Sequence, residues 1–261
     1  MRELTVLRDR LEDLDRVVVA FSGGADSAFL AWVANDVLGP ERAHAVTAIS
    51  ASLAPEEEDD CKALAGEWGL RWTPVVTAEL ESAAYRANDT DRCAHCKTAL
   101  MDVAGPIAEA EGATVVLGVN VDDLADEHRP SQAAAAERGA VFPLADAGFT
   151  KAKVREASEA LGLRTWDKPA AACLASRVPY GTPVTMSVLA EVAAAESGLR
   201  RLGLRQLRVR HHGAVARIEV PLADLDAVLA QREAVVAAVR TAGYRYVALD
   251  LEGFRSGSLN P

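Results

Sequence analysis

No apolar run in the 261-residue chain approaches the roughly 18 residues of a membrane span, so a transmembrane protein is not expected. The first residues, MRELTVLRDRLEDLDR, are charged and amphipathic. They read as a surface helix and not as a signal peptide, which predicts a cytoplasmic protein. Excess positive charge is also missing. Against 38 Asp and Glu there are 28 Lys and Arg, a formal charge of −10, which argues against broad binding to nucleic acid or to a membrane surface. Cysteine is scarce, with four in all. In a reducing compartment these are expected to bind metal, react or sit buried, and not to form disulfides. Internal repeats and low-complexity linkers are absent, and Ala-rich patches such as Gln132–Ala136 read as ordinary helix. The phosphate-binding pattern G-x-x-x-x-G-K-[ST] is absent too.

Half the residues are hydrophobic, enough for a sizeable core. The stretch Val17–Ser27, VVVAFSGGADS, organises them. Val17–Phe21 fits a strand buried on both faces of a parallel sheet. It stops at Ser22-Gly23-Gly24-Ala25-Asp26-Ser27, after which Phe29, Val33 and Val37 recur on one helical face. A Gly-rich turn from a strand's C-terminal end into a helix N-terminus lets backbone N–H groups approach an anion. The two serines add hydroxyls and the helix dipole adds positive charge. The alternative is a plain turn with Asp26 as a helix cap.

Further apolar strands are expected at His44–Ile49, Trp72–Thr77 and Thr114–Asn120, with a short fifth at Phe142–Leu144. Helices are expected after Pro55, over Thr98–Glu111 and from a Thr150 cap to about Leu161. Alternating strands and helices predict an α/β doubly wound parallel sheet, whose ligands bind outside the strands' carboxyl ends. The Ser-Gly-Gly turn, Ser50–Ser52 and Asn120–Asp126 fall on that edge. Asp122, Asp123 and Asp126 there suit Mg²⁺ beside a triphosphate, or equally an Asx-turn and helix cap. Cys61 shares a helical face with Leu64, Ala65 and Trp68 and is expected to be buried filler.

The last third predicts a smaller C-terminal α+β domain: a helix over Val188–Arg201, a hairpin around His211-His212-Gly213, a helix over Leu222–Ala242 and a strand at Tyr244–Leu251. Residues 1–170 and 171–261 are the expected domains. Arg200, Arg201, Arg205, Arg208, Arg210 and Arg217 form a local basic cluster. Arg208 and Arg210, two apart, project to one strand face and are the best candidates for binding an anionic substrate. Cys173 lies in a loop bounded by Pro169 and Pro179, near enough to Arg177 for its thiol to be acidified. Cys93 and Cys96 form C-x-x-C. Alone it fits a redox pair, half a zinc site or part of an iron–sulfur site; three thiols including Cys173 would suffice for a 4Fe-4S cluster with one open iron.

The pattern S-G-G-x-D-S at Ser22–Ser27 resembles the PP-loop of the ATP-pyrophosphatase family, with an adenine nucleotide α-hydrolase-like fold. GVNVDD at Gly118–Asp123 is similar to a second segment of those enzymes. With RCAHCK at Arg92–Lys97, KPAAACLASRVPYGTPVT at Lys168–Thr185 and LDLEGFRSGSLN at Leu249–Asn260, the chain resembles the LarE family of sulfur transferases. The resemblance implies ATP and Mg²⁺ as cofactors, and a homo-oligomer is expected. It implies adenylation of a carboxylate on pyridinium-3,5-biscarboxylic acid mononucleotide and its conversion to a thiocarboxylate. By the same resemblance, Ser22, Gly23, Gly24, Asp26, Ser27, Ser50, Gly118, Asp122 and Asp123 bind the nucleotide and its metal. Cys173 is the key thiol, and Ser176, Arg177, Arg208 and Arg210 bind substrate. The family has two styles: Cys93, Cys96 and Cys173 holding a 4Fe-4S cluster, which three cysteines favour, or a single sacrificial cysteine. Competing readings are an ammonia-dependent amidating synthetase, a tRNA-thiolating enzyme and a non-enzymatic ATP-binding module.

Overall fold

The computed structural model describes residues 2–125, 131–169 and 172–255. Within these the chain forms two compact units. The first comprises Met1–Ser50, Pro55–Glu79 and Asp91–Ala171; the second comprises Ala51–Ala54, Leu80–Thr90 and the chain from Ala172 onward. Two short stretches of the first half therefore belong with the C-terminal third.

The first unit is a parallel sheet of β1 (Val17–Ala20), β2 (Ala43–Ile49), β3 (Arg71–Val76) and β4 (Thr114–Leu117), in the order β3-β2-β1-β4. Its helices are α1 (Arg2–Leu14), α2 (Ala25–Leu38), α3 (Pro55–Trp68), α4 (Arg92–Glu111), α5 (Ser131–Ala136) and α6 (Lys151–Ala160). Strand alternation sends Val17, Val19 and Phe21 into one core with Phe29, Leu64, Phe149 and Val154. It sends Val18, with Val115 and Leu117, into another with Leu100, Met101 and Ala104. Both faces of the sheet are thus covered, which is why β1 reads as an unbroken apolar run. The strand order reverses direction between β1 and β4, so the crevice for a ligand opens beyond the carboxyl ends of these two strands. Cys61 is fully buried in the first core.

Two local expectations change in this unit. Phe142–Leu144 is not a strand: Pro143 opens a helical turn, Pro143–Asp146, and only Val141 bridges to Val116. Helix α4 begins at Arg92, six residues earlier than Thr98, so Cys93 and Cys96 lie at its start, one turn apart. Asp126 lies outside the described residues, as do Ala170, Ala171 and 256–260 of the two C-terminal motifs.

The second unit has a three-stranded sheet of β5 (Arg208–His212), β6 (Val215–Glu219) and β7 (Tyr246–Leu249), with β6 central. One face, with Val209, Ala216 and Ile218, packs in a core with Ala195 and Leu199 of α7 (Met186–Arg201) and Val235 and Val239 of α8 (Arg232–Thr241). The hairpin turn is Gly213-Ala214, with Gly213 at φ 60°; His211 and His212 pair within β5. The helix expected over Leu222–Ala242 is broken at Gln231 into Leu225–Ala230 and α8. No glycine or proline marks that break.

Candidate active site

The turn after β1 is built as a closed ring. The Ser27 hydroxyl donates to the Gly24 carbonyl (3.1 Å) and accepts from the Ser22 N–H (3.2 Å) and, its own proton being spent, from the Ser22 hydroxyl (3.0 Å). Ser27 is buried and Ser22 exposed, so Ser27 shapes the turn while Ser22 faces outward. Gly23 takes φ 67°, a conformation that L side chains rarely adopt; a Cβ there would also stand 2.9 Å from the Cys61 sulfur. Gly24 is the N-cap of α2 and no side chain caps that helix, Asp26 included. Among the described residues, the Gly23, Gly24, Ala25 and Asp26 N–H groups have no protein acceptor. Unpaired donors at the positive end of a 14-residue helix make an anion cradle.

β4 ends beside this cradle. A Cβ on Gly118 would come within 2.8 Å of the Ser27 backbone nitrogen, so its smallness lets the strand end abut the start of α2. Asn120 caps the helical turn Val121–Leu124 in a capping box with Asp123, and its amide donates to Asp26 Oδ1 at 3.2 Å. Asp122 accepts the Lys151 N–H at the start of α6 (2.8 Å). Asp122 and Asp123 therefore hold helix ends, as the Asx-turn alternative expects, and Asp26 is the carboxylate lying in the Ser-Gly-Gly turn itself. Ser50 follows directly on β2.

Burial raises the Asp26 carboxyl above its ordinary value, against the opposing Lys151 charge and Asn120 hydrogen bond. The folded protein then binds this proton more tightly than the unfolded chain. The group's stabilisation is complete below the ordinary carboxylate range and is lost as pH climbs through the raised value. Asp26→Asn is expected to raise the melting temperature at pH 7, with a smaller gain at pH 4, while weakening Mg²⁺-dependent ATP binding. Calorimetry at the two pH values and a nucleotide titration check both halves.

The thiol and arginine residues assemble within the second unit. Cys173 is exposed and N-caps a single 3₁₀ turn, Leu174–Arg177. The turn is held by Leu174 N–H to the Ser52 carbonyl (2.8 Å) and by Arg177, which donates to the Ala172 and Cys173 carbonyls and the Ser176 hydroxyl. Arg177 is buried and also forms a two-bond pair with Glu196 of α7, 2.9 and 3.2 Å. Its contact with Cys173 is through the backbone carbonyl, so its main duty is to shape the loop. Arg210 donates to the Ser176 carbonyl (2.8 Å) and pairs with Glu219 (2.8 Å). The Arg208 guanidinium lies against the Phe254 ring at 4.7 Å and makes no hydrogen bond or ion pair among the described residues. Burial and the Arg177 and Arg210 charges push its pKa down to about 10. Arg208 and Arg210 do share a strand face, but both are buried and Arg210 is already paired. Of the two, Arg208 alone has a guanidinium with no hydrogen bond or ion pair among the described residues.

Sequence reasoning missed Glu196 and Asn88. Glu196 falls at helical spacing from Val192 and Leu199, so a charge on an apolar stripe was its signal. Asn88, fully buried at φ 59°, donates to the Val178, Pro179 and Thr182 carbonyls and so clamps the far side of the cysteine loop. Nothing in its local sequence marks it.

Cys93 is exposed and Cys96 half-buried on α4, in the first unit. Among the described residues, no three His, Cys, Asp or Glu side chains are grouped to hold a metal, and no helix is long and apolar enough to cross a membrane.

Residues 4–101 match the NAD synthase family model. A protein of Lactiplantibacillus plantarum named pyridinium-3,5-bisthiocarboxylic acid mononucleotide synthase is 39% identical over 96% of this chain and 91% of its own. The chain belongs to that synthase family. Membership extends over both units and so covers the nucleotide turn and the cysteine loop alike. An uncharacterised protein of Synechocystis sp. is 46% identical over 99% of this chain and 97% of its own. The glutamine-dependent NAD(+) synthetase of Aquifex aeolicus is 34% identical over 33% of this chain. The residues matched by the NAD synthase model carry β1, β2, β3 and the Ser-Gly-Gly turn; β4 and the cysteine loop lie beyond them.

Proposed function

We propose that the protein is an ATP-dependent sulfur transferase that converts a carboxylate of pyridinium-3,5-biscarboxylic acid mononucleotide to a thiocarboxylate. The observation that carries the reading is an exposed thiol, Cys173, on a turn framed by the buried Arg177, Arg208 and Arg210, in a chain whose other unit ends β1 in an open anion cradle. Such a pairing suits activation of an acid followed by sulfur attack. The substrate carboxylate oxygen attacks the α-phosphorus and pyrophosphate leaves. The N–H groups of Gly23 to Asp26 hold the departing charge, and Asp26 is the first candidate to hold Mg²⁺, with Asp122 and Asp123 beside it. Arg208 takes the substrate's phosphate or carboxylate, with Ser176, Arg177 and Arg210 framing the place. A sulfur nucleophile then attacks the acyl carbon and AMP leaves.

Cysteine sulfurs are the right donors for iron–sulfur ligation, and Cys93 and Cys173 are exposed while Cys96 is half-buried. Cys93 and Cys96, one helical turn apart, and Cys173 would hold a 4Fe-4S cluster, which when bound supplies a transferable sulfide. Without it, the Cys173 thiol forms a thioester. Loss of its α-proton and cleavage of the Cβ–S bond then leave the thiocarboxylate and dehydroalanine. The partner is a small nucleotide, with neither nucleic acid nor membrane. The protein works in the cytoplasm as a homo-oligomer, with the second unit serving substrate binding and assembly.

Incubation with ATP, Mg²⁺ and the biscarboxylate mononucleotide is expected to release pyrophosphate and AMP only when all three are present. Release with tRNA or with ammonia and another acid, and none with this substrate, would overturn the reading. Anaerobic purification is expected to yield iron and sulfide that Cys93→Ser removes. A metal-free protein whose Cys173 becomes dehydroalanine on turnover would replace the cluster by the sacrificial route.

A further inference from the structure

The nucleotide turn has a basic neighbour that the reaction scheme does not use. Lys168 Nζ lies 3.1 Å from the Gly23 carbonyl, and 2.8 and 2.6 Å from the carboxylates of Glu57 and Asp60 on α3. Among the described residues it is the only side-chain cation bonded to the backbone of the turn. Its own backbone is fixed as well: Arg155 of α6 donates to the Trp166 and Lys168 carbonyls, each at 3.0 Å. Burial alone would lower the ammonium's pKa, but the hydrogen bonds to Asp60 and Glu57 carry it above its ordinary value. The group is a stationary charge, not a mobile surface lysine.

Two consequences follow from its position. The Gly23 carbonyl and the Gly24 N–H belong to one trans peptide and point in opposite directions. Glycine at Gly23 lets that peptide turn over at little steric cost. By holding the carbonyl, Lys168 aims the Gly24 N–H away from itself, on the side of the cradle. The second consequence is electrostatic. Helix α3 opens with Glu56, Glu57 and Glu58, followed by Asp59 and Asp60, an acidic end that would repel a triphosphate at Gly23. Lys168 offsets one of the two negative charges on Glu57 and Asp60, and Arg164 takes a further share of Asp60 at 2.7 Å.

We propose that Lys168 is a positioning residue for the nucleotide's phosphates, fixing the Gly23–Gly24 peptide with its N–H toward the anion and screening that anion from Glu57 and Asp60. The proposal rests on the nucleotide-site half of the function above and not on its sulfur chemistry. It deepens that half by making recognition of the phosphates, more than of the adenosine, depend on a residue outside the Gly-rich turn.

The test is binding alone, using the full-length protein, Mg²⁺ and three probes: α,β-methylene-ATP, AMP and adenosine. Lys168→Met is expected to weaken the triphosphate analogue at least about tenfold, the scale of one hydrogen bond to a charged group. AMP should lose less and adenosine almost nothing. Lys168→Arg should restore most of the affinity, and adding Glu57→Gln to Lys168→Met should restore part. Equal losses for all three probes, or none, would overturn the proposal, because a merely structural lysine would not grade with phosphate number. Should Lys168→Met fail to fold, Glu57→Gln in the wild-type background decides. Removing one carboxylate from beside the turn must tighten the triphosphate analogue relative to adenosine, and an unchanged ratio rejects the idea. A wild-type protein that bound none of the probes would refute the nucleotide site itself. One that bound them but transferred no sulfur would refute only the sulfur chemistry and leave Lys168 in its role.

Discussion

Cys173→Ala is expected to abolish thiocarboxylate formation, by at least about a thousandfold, as for loss of a reacting nucleophile elsewhere. The same variant should still release pyrophosphate from ATP in the presence of substrate. The separation follows from how the loop is built. Its shape depends on the Cys173 carbonyl, which accepts from the Ser176 N–H and from Arg177, and not on the side chain. The exposed thiol has no bond to lose, so stability should stay within about 0.5 kcal/mol of wild type, as for other surface substitutions. A coupled assay for pyrophosphate, mass spectrometry of the product and a melting curve read the three quantities. Full thiocarboxylate yield from the alanine variant would remove this thiol from the chemistry. Amide formation with ammonia at undiminished rate would make the protein an amidating synthetase.

The largest expected effect on stability belongs to Glu196. This carboxylate has no exposed surface, yet it accepts from Arg177 Nε and Nη2, from Arg200 Nη2 at 2.9 Å and from the Val209 N–H at 3.0 Å. It ties α7 to β5 and to the cysteine turn at once. Glu196→Ala leaves a buried guanidinium without its counter-ion and a strand N–H without its acceptor, a loss of about 3–5 kcal/mol for breaking a buried pair from one side. Glu196→Gln keeps one acceptor oxygen and should cost less. Urea unfolding followed by near-ultraviolet circular dichroism is the measurement. With two compact units, the loss should appear in the transition of the second alone. An unchanged midpoint in the alanine variant would mean that the network carries no net stability.

The readable parts of the chain were those where local and global demands agree. Val17–Ser27 states its strand, turn and helix through composition alone, because β1 is covered on both sides and the turn needs two glycines. Cys61 was legible from its apolar helical neighbours. The start of α4 was hidden because the polar run Asn88–Arg92 reads as loop, whereas Arg92 is buried and helical. Phe142–Leu144 misled because two apolar residues around a proline look like an edge strand, while Pro143 is better used to start a helical turn. Arg208 and Arg210 were legible as a pair by spacing. Their burial was not, since it depends on Ser176 and Phe254, which are distant in sequence, as well as on Glu219 across the hairpin. Asn88 and Lys168 act across 90 and 145 residues respectively, and no periodicity reports such bonds.

The second unit borrows Ser52 and residues 80–90 from between the strands of the first. Asn88 bonds the cysteine loop directly, and Tyr85, whose hydroxyl meets the Ser52 hydroxyl at 2.5 Å, supports the Ser52 anchor. A gene cut near codon 171 would therefore not release a free-standing C-terminal module. The excised piece would keep the Arg177 and Arg210 bonds of its cysteine loop but leave the Ser52 and Asn88 bonds behind on the other fragment. A C-terminal fragment that carries the whole second unit must therefore bring two upstream segments with it, Ala51–Ala54 and Leu80–Thr90.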